Sequence, residues 1–277
     1  MKKRALVIGT GALRGTYDAG VAATLCREIG SNYFDAIYGS SAGAYTATYF
    51  ALNQPDALEN LWRSNLYGGR FVSLFKPLHG RHIADLEYLA YLIQNSENFL
   101  HIENLSRIFT LLKYVITDQT SGEPLYIEPT QENILVLLAA SSAMPLVHPP
   151  ITLDGMSYID GGLSDPLPFQ QALADGYDEV IVVYNKPRGF LVGERYDTFC
   201  DVLALGLPRQ TSYLVRNLKF RYQEIQQVLE QEPRLKVIRP KVQLPLKSIL
   251  DTNKARLNAC VDMGIADAKE FLKTYHP

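Results

Sequence analysis

The stretch Phe34-Asp35-Ala36-Ile37-Tyr38-Gly39-Ser40-Ser41-Ala42-Gly43-Ala44 decides how this chain is read. Residues 34 to 38 have strand character, a tight turn follows, and Ala44 to Leu52 continues as a helix with Pro55 preventing its extension. The turn fits Gly-x-Ser-x-Gly, with Ser41 at its centre and Gly39, Ala42 and Gly43 around it. In such a strand-turn-helix the backbone bends sharply, and small flanking residues permit the bend. The bend lifts the central hydroxyl out of the sheet. It also leaves Ser41 at a helix N-terminus, where unpaired N–H groups and the macrodipole favour developing negative charge. Ser41 is therefore a candidate nucleophile, against the plainer reading of a turn required only for packing.

Upstream, Ala5 to Ile8 is β-rich and runs into the loop Gly9-Thr10-Gly11-Ala12-Leu13-Arg14-Gly15. A helix follows, with Val21, Ala22, Leu25, Cys26 and Ile29 expected on one face and Gly30 as its stop. Downstream, helices are predicted over Asp56 to Ser64, Asp85 to Gln94, Asn104 to Phe109, Asn133 to Ala143 and Pro168 to Asp175. Leu111 to Ile116 and Leu125 to Ile127 read as a hairpin, as do Ile151 to Leu153 and Ser157 to Ile159 around Asp154-Gly155. Val180 to Tyr184 has the continuous apolar character of a buried parallel strand. Beyond Lys186-Pro187-Arg188-Gly189, Thr198 to Leu205, Thr211 to Glu232 and Asn253 to Tyr275 look helical, with one short strand at Leu235 to Ile238. The alternation predicts a wound α/β sheet in residues 1–190 and a mainly helical region in 191–277 packed on it.

The 277 residues are 47% hydrophobic and 20% charged, enough for a sizeable core. A formal charge of −2 gives no reason to expect a nucleic-acid partner. Basic Met1-Lys2-Lys3-Arg4 precedes an apolar run too short for a signal peptide, and no run reaches transmembrane length. Cys26, Cys200 and Cys260 are widely separated and form no metal or disulfide framework. The expectation is a cytoplasmic protein without cofactor or metal.

A serine nucleophile needs a base and an oxyanion hole. Gly11 and Ala12, between a strand and a helix, are candidates for the hole, together with the N–H of Ala42. The same loop has a rival reading as a dinucleotide turn with Asp35 as the ribose acid. Its glycines, at 9, 11 and 15, are one residue too widely spaced, and Asp35 opens its strand instead of closing it. Among the five histidines, His79, His82, His101, His148 and His276, none stands out as a base. Asp160 does: it ends a strand and is followed by Gly161 and Gly162, which allow close backbone approach. A free aspartate near pKa 3.9 is a weak base and would need positioning and a dry site. Asp165, before Pro166, reads as a turn acid.

Taken in order, the early loop with Arg14-Gly15, Gly39-Ser40-Ser41-Ala42-Gly43, Ala140-Ser141-Ser142-Ala143-Met144-Pro145 and Asp160-Gly161-Gly162 resemble the patatin-like phospholipases over about residues 5 to 190. The resemblance implies a three-layer α/β/α fold with a mainly parallel sheet, a helical C-terminal extension and hydrolysis of lipid acyl esters. It implies a Ser–Asp dyad without histidine, in which Ser41 attacks and Asp160 takes its proton and later activates water. Gly11, Ala12 and the Ala42 N–H would hold the oxyanion. One departure stands out: the family's glycine-rich loop has Thr10 and Ala12 here in place of glycines, so a positive φ at either would be costly. The substrate expected is a lipid or small acyl ester. Tyr67 to Lys76 mixes aromatics with Arg70 and Lys76, a composition open to contact with a membrane surface or to a lid, against the preferred plainer reading of an ordinary loop with core anchors. The competing expectation is a catalytically weak lipid-binding or regulatory protein on the same fold.

Overall fold

The computed structural model describes residues 2–190 and 204–275. Cys200, His276 and most of the predicted Thr198–Leu205 helix lie outside the described residues. An eight-stranded mixed sheet runs β5-β6-β3-β2-β1-β7-β8, with β4 also paired to β3. These strands are β1 (Arg4–Ile8), β2 (Ala36–Ser40), β3 (Leu111–Asp118), β4 (Pro124–Ile127), β5 (Ile151–Leu153), β6 (Met156–Asp160), β7 (Glu179–Val183) and β8 (Leu235–Ile238). Pairings among β3, β2, β1, β7 and β8 are parallel, and those of β4, β5 and β6 are antiparallel.

The central strands β1, β2 and β7 are apolar over their middle positions because both faces are covered. Leu6, Ile8, Ile37, Ile181 and Val183 enter one core; Ala5, Val7, Tyr38, Val180 and Val182, their alternates, enter another. The first core is closed by α1 (Gly15–Ile29), α2 (Ala42–Ala51), α3 (Pro55–Ser64), α5 (Ile134–Ser141) and α8 (Lys254–Thr274). The second is closed by α6 (Phe169–Ala174) and α7 (Arg209–Gln231). The result is three layers, α/β/α. A further helix, α4 (Leu86–Asn95), is capped by Asp85, whose side chain accepts the Tyr88 N–H at 2.9 Å.

Two local expectations change. The first helix is not amphipathic: all its residues from Gly15 to Cys26 are buried, because α3 and α8 pack on the sides the sheet leaves open. The helix expected at Asn104–Phe109 is a 3-10 helix over Ile102–Arg107. The Asp154-Gly155 hairpin holds, with φ of 52° and 77° as a type I′ turn requires.

The register of β3 positions the site. β2 pairs Leu111 to Val115, β4 pairs Tyr114 to Thr117, and β6 pairs Ile116 to Asp118. Because β4 overlaps both others, it must hold one edge of β3 while β2 and β6 share the other. β2 runs parallel to β3 and ends at Ser40 opposite Val115; β6 runs antiparallel and ends at Asp160 opposite Ile116. Their carboxyl ends therefore meet head to head. Ser41 and Asp160, 119 residues apart in sequence, become neighbours.

Candidate active site

Ser41 sits between β2 and α2 with φ 55° and ψ −123°, a conformation strained for any residue but glycine. The strain is held by packing and hydrogen bonds. A side chain on Gly43 would come within 2.3 Å of the Ile8 carbonyl oxygen, and one on Gly39 within 2.6 Å of Ala44 Cα, so both positions must stay bare. The Ser41 N–H donates to Ser141 Oγ at 2.8 Å, and that hydroxyl in turn donates to the Val115 carbonyl at 2.7 Å. Ser141 thus ties the elbow to the strand beneath it.

Ser41 Oγ donates to Asp160 Oδ2 at 2.7 Å. Asp160 Oδ1 accepts the Gly162 N–H at 2.7 Å, and its carbonyl accepts Thr117 Oγ1 at 2.8 Å. Gly161 lies flat on β3, where a side chain would reach 2.1 Å from the Val115 carbonyl oxygen. With both carboxylate oxygens engaged and only 2% of the residue exposed, burial pushes Asp160 up to about 7, opposed by the bonds from Ser41 and Gly162. The dry site therefore supplies the basicity that a free aspartate lacks.

The loop from Thr10 to Arg14 lies across from this pair on the same cavity. Gly11 is extended, whereas Ala12 takes φ 47°, so the alanine that replaces a family glycine does adopt the costly conformation. A left-handed alanine costs about 1–2 kcal/mol, which its surroundings must supply. Thr10 accommodates its larger side chain by resting on Gly162, whose missing Cβ would clash with it at 2.8 Å. Asn185, just after β7, braces the loop: its Nδ2 donates to the Thr10 carbonyl at 3.1 Å and to Asp18 Oδ2 at 2.6 Å. Arg14 opens toward the cavity, and Gly15 starts α1 against Trp62 and Ala42. Among the described residues, no hydrogen bond to a protein acceptor occupies the N–H of Gly11, Ala12 or Ala42.

Ser41 and Asp160 open onto a cavity of about 510 Å³, the size of a small-ligand site. Its walls include Tyr45, Leu61, Trp62, Leu66, Phe71, Val72, Leu86, Leu89, Met144 and Val147. None of the described histidines lines it. His148 is turned to its neighbour, with Nδ1 2.8 Å from the Pro149 carbonyl oxygen. Asp165 faces away, its Oδ2 accepting Tyr126 Oη at 2.7 Å, as a structural turn acid. Asp35 accepts the Arg4 N–H at the opposite end of β2 from the loop, which removes the dinucleotide reading. Ser141, Asn185 and Lys186 are the site residues that sequence reasoning gave no role. Ser141 did lie in the Ala140 to Pro145 motif that carries the resemblance, whereas the signal for Asn185 and Lys186 was only positional, since they follow a buried parallel strand.

The family model described as patatin-like phospholipase matches residues 6–173. The uncharacterized Escherichia coli K12 protein YjjU is 30% identical over 285 residues, covering 98% of this chain and 77% of that one. An uncharacterized NTE family protein of Mycobacterium tuberculosis H37Rv is 29% identical over 180 residues, covering 65% of this chain and 48% of that one. The crystal structure of VipD from Legionella pneumophila aligns with a TM-score of 0.54 at 12% identity, covering 99% of this chain and 67% of that chain, a likeness of fold alone.

Proposed function

This chain belongs to the patatin-like phospholipase family, and on that premise we propose that it is a serine hydrolase cleaving acyl esters of lipids through a Ser41–Asp160 dyad. The observation that carries the reading is the 2.7 Å hydrogen bond from Ser41 Oγ to a buried Asp160, at an apolar cavity that no described histidine lines. In the first half-reaction Ser41 Oγ attacks the ester carbonyl carbon while its proton passes to Asp160 Oδ2. The oxyanion that forms takes N–H donors from Gly11, Ala12 and Ala42. Collapse breaks the ester C–O bond, and the departing alkoxide takes the proton from Asp160. In the second half-reaction water gives a proton to Asp160 as it adds to the acyl-enzyme. Collapse then releases the acid and returns the proton to Ser41 Oγ.

A fluorophosphonate probe with peptide mapping tests this directly. Labelling is expected at Ser41, absent in Ser41→Ala, and slowed at least ~100-fold in Asp160→Asn. Labelling at another residue, or an undiminished rate in Asp160→Asn, would remove the dyad. The strained Ala12 favours one competing reading, a catalytically weak lipid-binding protein. That reading gains if the folded wild type binds lipid but takes no label.

A further inference from the structure

A trans peptide is planar and carries its carbonyl and its N–H on opposite edges, so whatever holds one aims the other. The peptide between Thr10 and Gly11 is held in this way. Its N–H belongs to Gly11, on the wall of the cavity that Ser41 also lines. Its carbonyl, on Thr10, accepts Asn185 Nδ2 at 3.1 Å. The same nitrogen blocks the Gly11 side of the plane, since a Cβ there would stand 2.4 Å from it. On either side the loop is pinned by backbone bonds: the Thr10 N–H donates to the Pro166 carbonyl at 2.9 Å, and the Leu13 N–H to that of Ile249 at 3.1 Å.

Asn185 is held in turn. It is 1% exposed and lies just past β7. Its second Nδ2 hydrogen goes to Asp18 Oδ2 at 2.6 Å, and its Oδ1 accepts Lys186 Nζ at 3.3 Å. Acceptors on one side and a donor-only ammonium on the other leave the amide a single orientation. Asp18, fully buried, comes from the first turn of α1, directly after the loop. Burial pushes it up to about 8, with the bond from Asn185 and the charge of Lys186 opposing, so at neutral pH it is largely the uncharged acid. Its Oδ2 still accepts from the amide.

We propose that Asn185, oriented by Asp18, is a positioning residue for the oxyanion hole: its grip on the Thr10 carbonyl aims the Gly11 N–H at the oxyanion formed on Ser41. The assignment rests on the acyl-ester reading above. A donor on the carbonyl also polarises the peptide and strengthens its N–H as a donor. Both effects act where negative charge develops, so Asn185 raises kcat and leaves ground-state binding unchanged.

The test compares hexyl trifluoromethyl ketone with hexyl methyl ketone by calorimetric titration. Ser41 Oγ adds to the activated ketone carbon, its proton passes to Asp160, and the ketone oxygen becomes an oxyanion in the hole; the methyl ketone binds without adding. The wild type should bind the trifluoromethyl ketone at least ~100-fold more tightly, a preference that Ser41→Ala abolishes. Asn185→Leu should cut that preference at least ~10-fold, with methyl ketone affinity within about threefold of the wild type. On p-nitrophenyl butyrate, kcat should fall by a similar factor while KM stays within about threefold. Asp18→Asn, which keeps an acceptor oxygen for the amide, should retain most of the preference, and Asp18→Leu should not. An intact preference in Asn185→Leu overturns the proposal. So does equal weakening of both ketones, which marks a merely structural amide, and so does full preference in Asp18→Leu, which removes the part given to Asp18. If Asn185→Leu does not fold, Asn185→Asp, which keeps the shape and loses both N–H donors, carries the same comparison. A wild type without a Ser41-dependent preference overturns the acyl-ester reading and this proposal with it, whereas the failures in the variants leave that reading standing.

Discussion

The Asp160 carboxyl accepts one hydrogen bond on each oxygen and, among the described residues, faces no cation close enough to pair with it, so desolvation dominates and holds it up at about 7. If the ionised form is the base, kcat/KM should fall about tenfold per pH unit below 7 and level off above it. A flat profile between pH 5 and 8 would exclude Asp160 as the group that takes the proton. The same shift acts on stability. A carboxyl raised from near 3.9 unfolded to about 7 folded stabilises fully below the unfolded value, and that contribution is lost as pH rises through 7. Asp160→Asn should therefore be inactive yet more stable than the wild type at pH 8, by on the order of 1–3 kcal/mol, with the gain shrinking toward pH 5. Paired melts at the two pH values check this; a gain independent of pH would assign the effect to packing instead.

Between elements, a close helix-on-helix contact joins α1 to α8. A Cβ on Gly20 would stand 2.2 Å from the Val261 carbonyl oxygen, and one on Gly264 2.2 Å from that of Tyr17. The helices cross backbone to backbone, and the Tyr17 hydroxyl adds a 2.8 Å bond to Asp267 Oδ2. Gly264→Ala sets two effects against each other. Alanine in a helix gains about 1 kcal/mol over glycine, whereas overpacking costs about 1–3 kcal/mol, and a carbonyl within a helix cannot turn aside. The clash should win, with a net loss of ~1–2 kcal/mol for Ala and more for Val in urea denaturation. Since α1 begins at the loop that carries Gly11 and Ala12, Gly264→Val should also slow fluorophosphonate labelling of Ser41. Unchanged stability in both variants would show that the two helices separate at little cost.

Over the whole molecule, no described helix is long and apolar enough to cross a membrane. Residues 65–84, however, contain no Asp or Glu and carry Arg70, Lys76 and Arg81. This segment has two sides. Phe71, Val72 and Ala84 line the cavity, while Leu74, Phe75 and Leu78 are 67%, 72% and 80% exposed. Asp85 anchors it through Lys76 and Arg81. We expect it to meet an anionic lipid surface, its apolar tip inserted and the exposed Arg70 and Arg81 at the headgroups, while buried Lys76 stays tied to Asp85. Leu74, Phe75 and Leu78 changed together to Ser should reduce partition onto anionic vesicles at least ~10-fold. Labelling of Ser41 in solution should stay within twofold. Unchanged vesicle binding would reduce the segment to a wall of the cavity.

The sequence by itself determined what depends on neighbouring residues. Period-2 and continuous apolar runs marked the strands, Asp154-Gly155 marked a hairpin, and Gly39 to Gly43 marked the elbow, because turn chemistry and side-chain alternation act over a few positions. Ser41 and Asp160 were nameable as candidates from their strand-end positions, and the ordered motifs tied them together by resemblance. Only the tertiary structure decided the rest. The shared edge of β3, which brings β2 and β6 end to end, is a matter of register between segments far apart in the chain. The altered basicity of Asp160 arises from water excluded by α2, α5 and the glycine loop, and no local pattern encodes that exclusion. Asn185 and Lys186 stood in unremarkable surroundings in sequence, and Ser141 stood in a motif without a role; they acquire their places because helix ends and strand ends converge on one edge of the sheet.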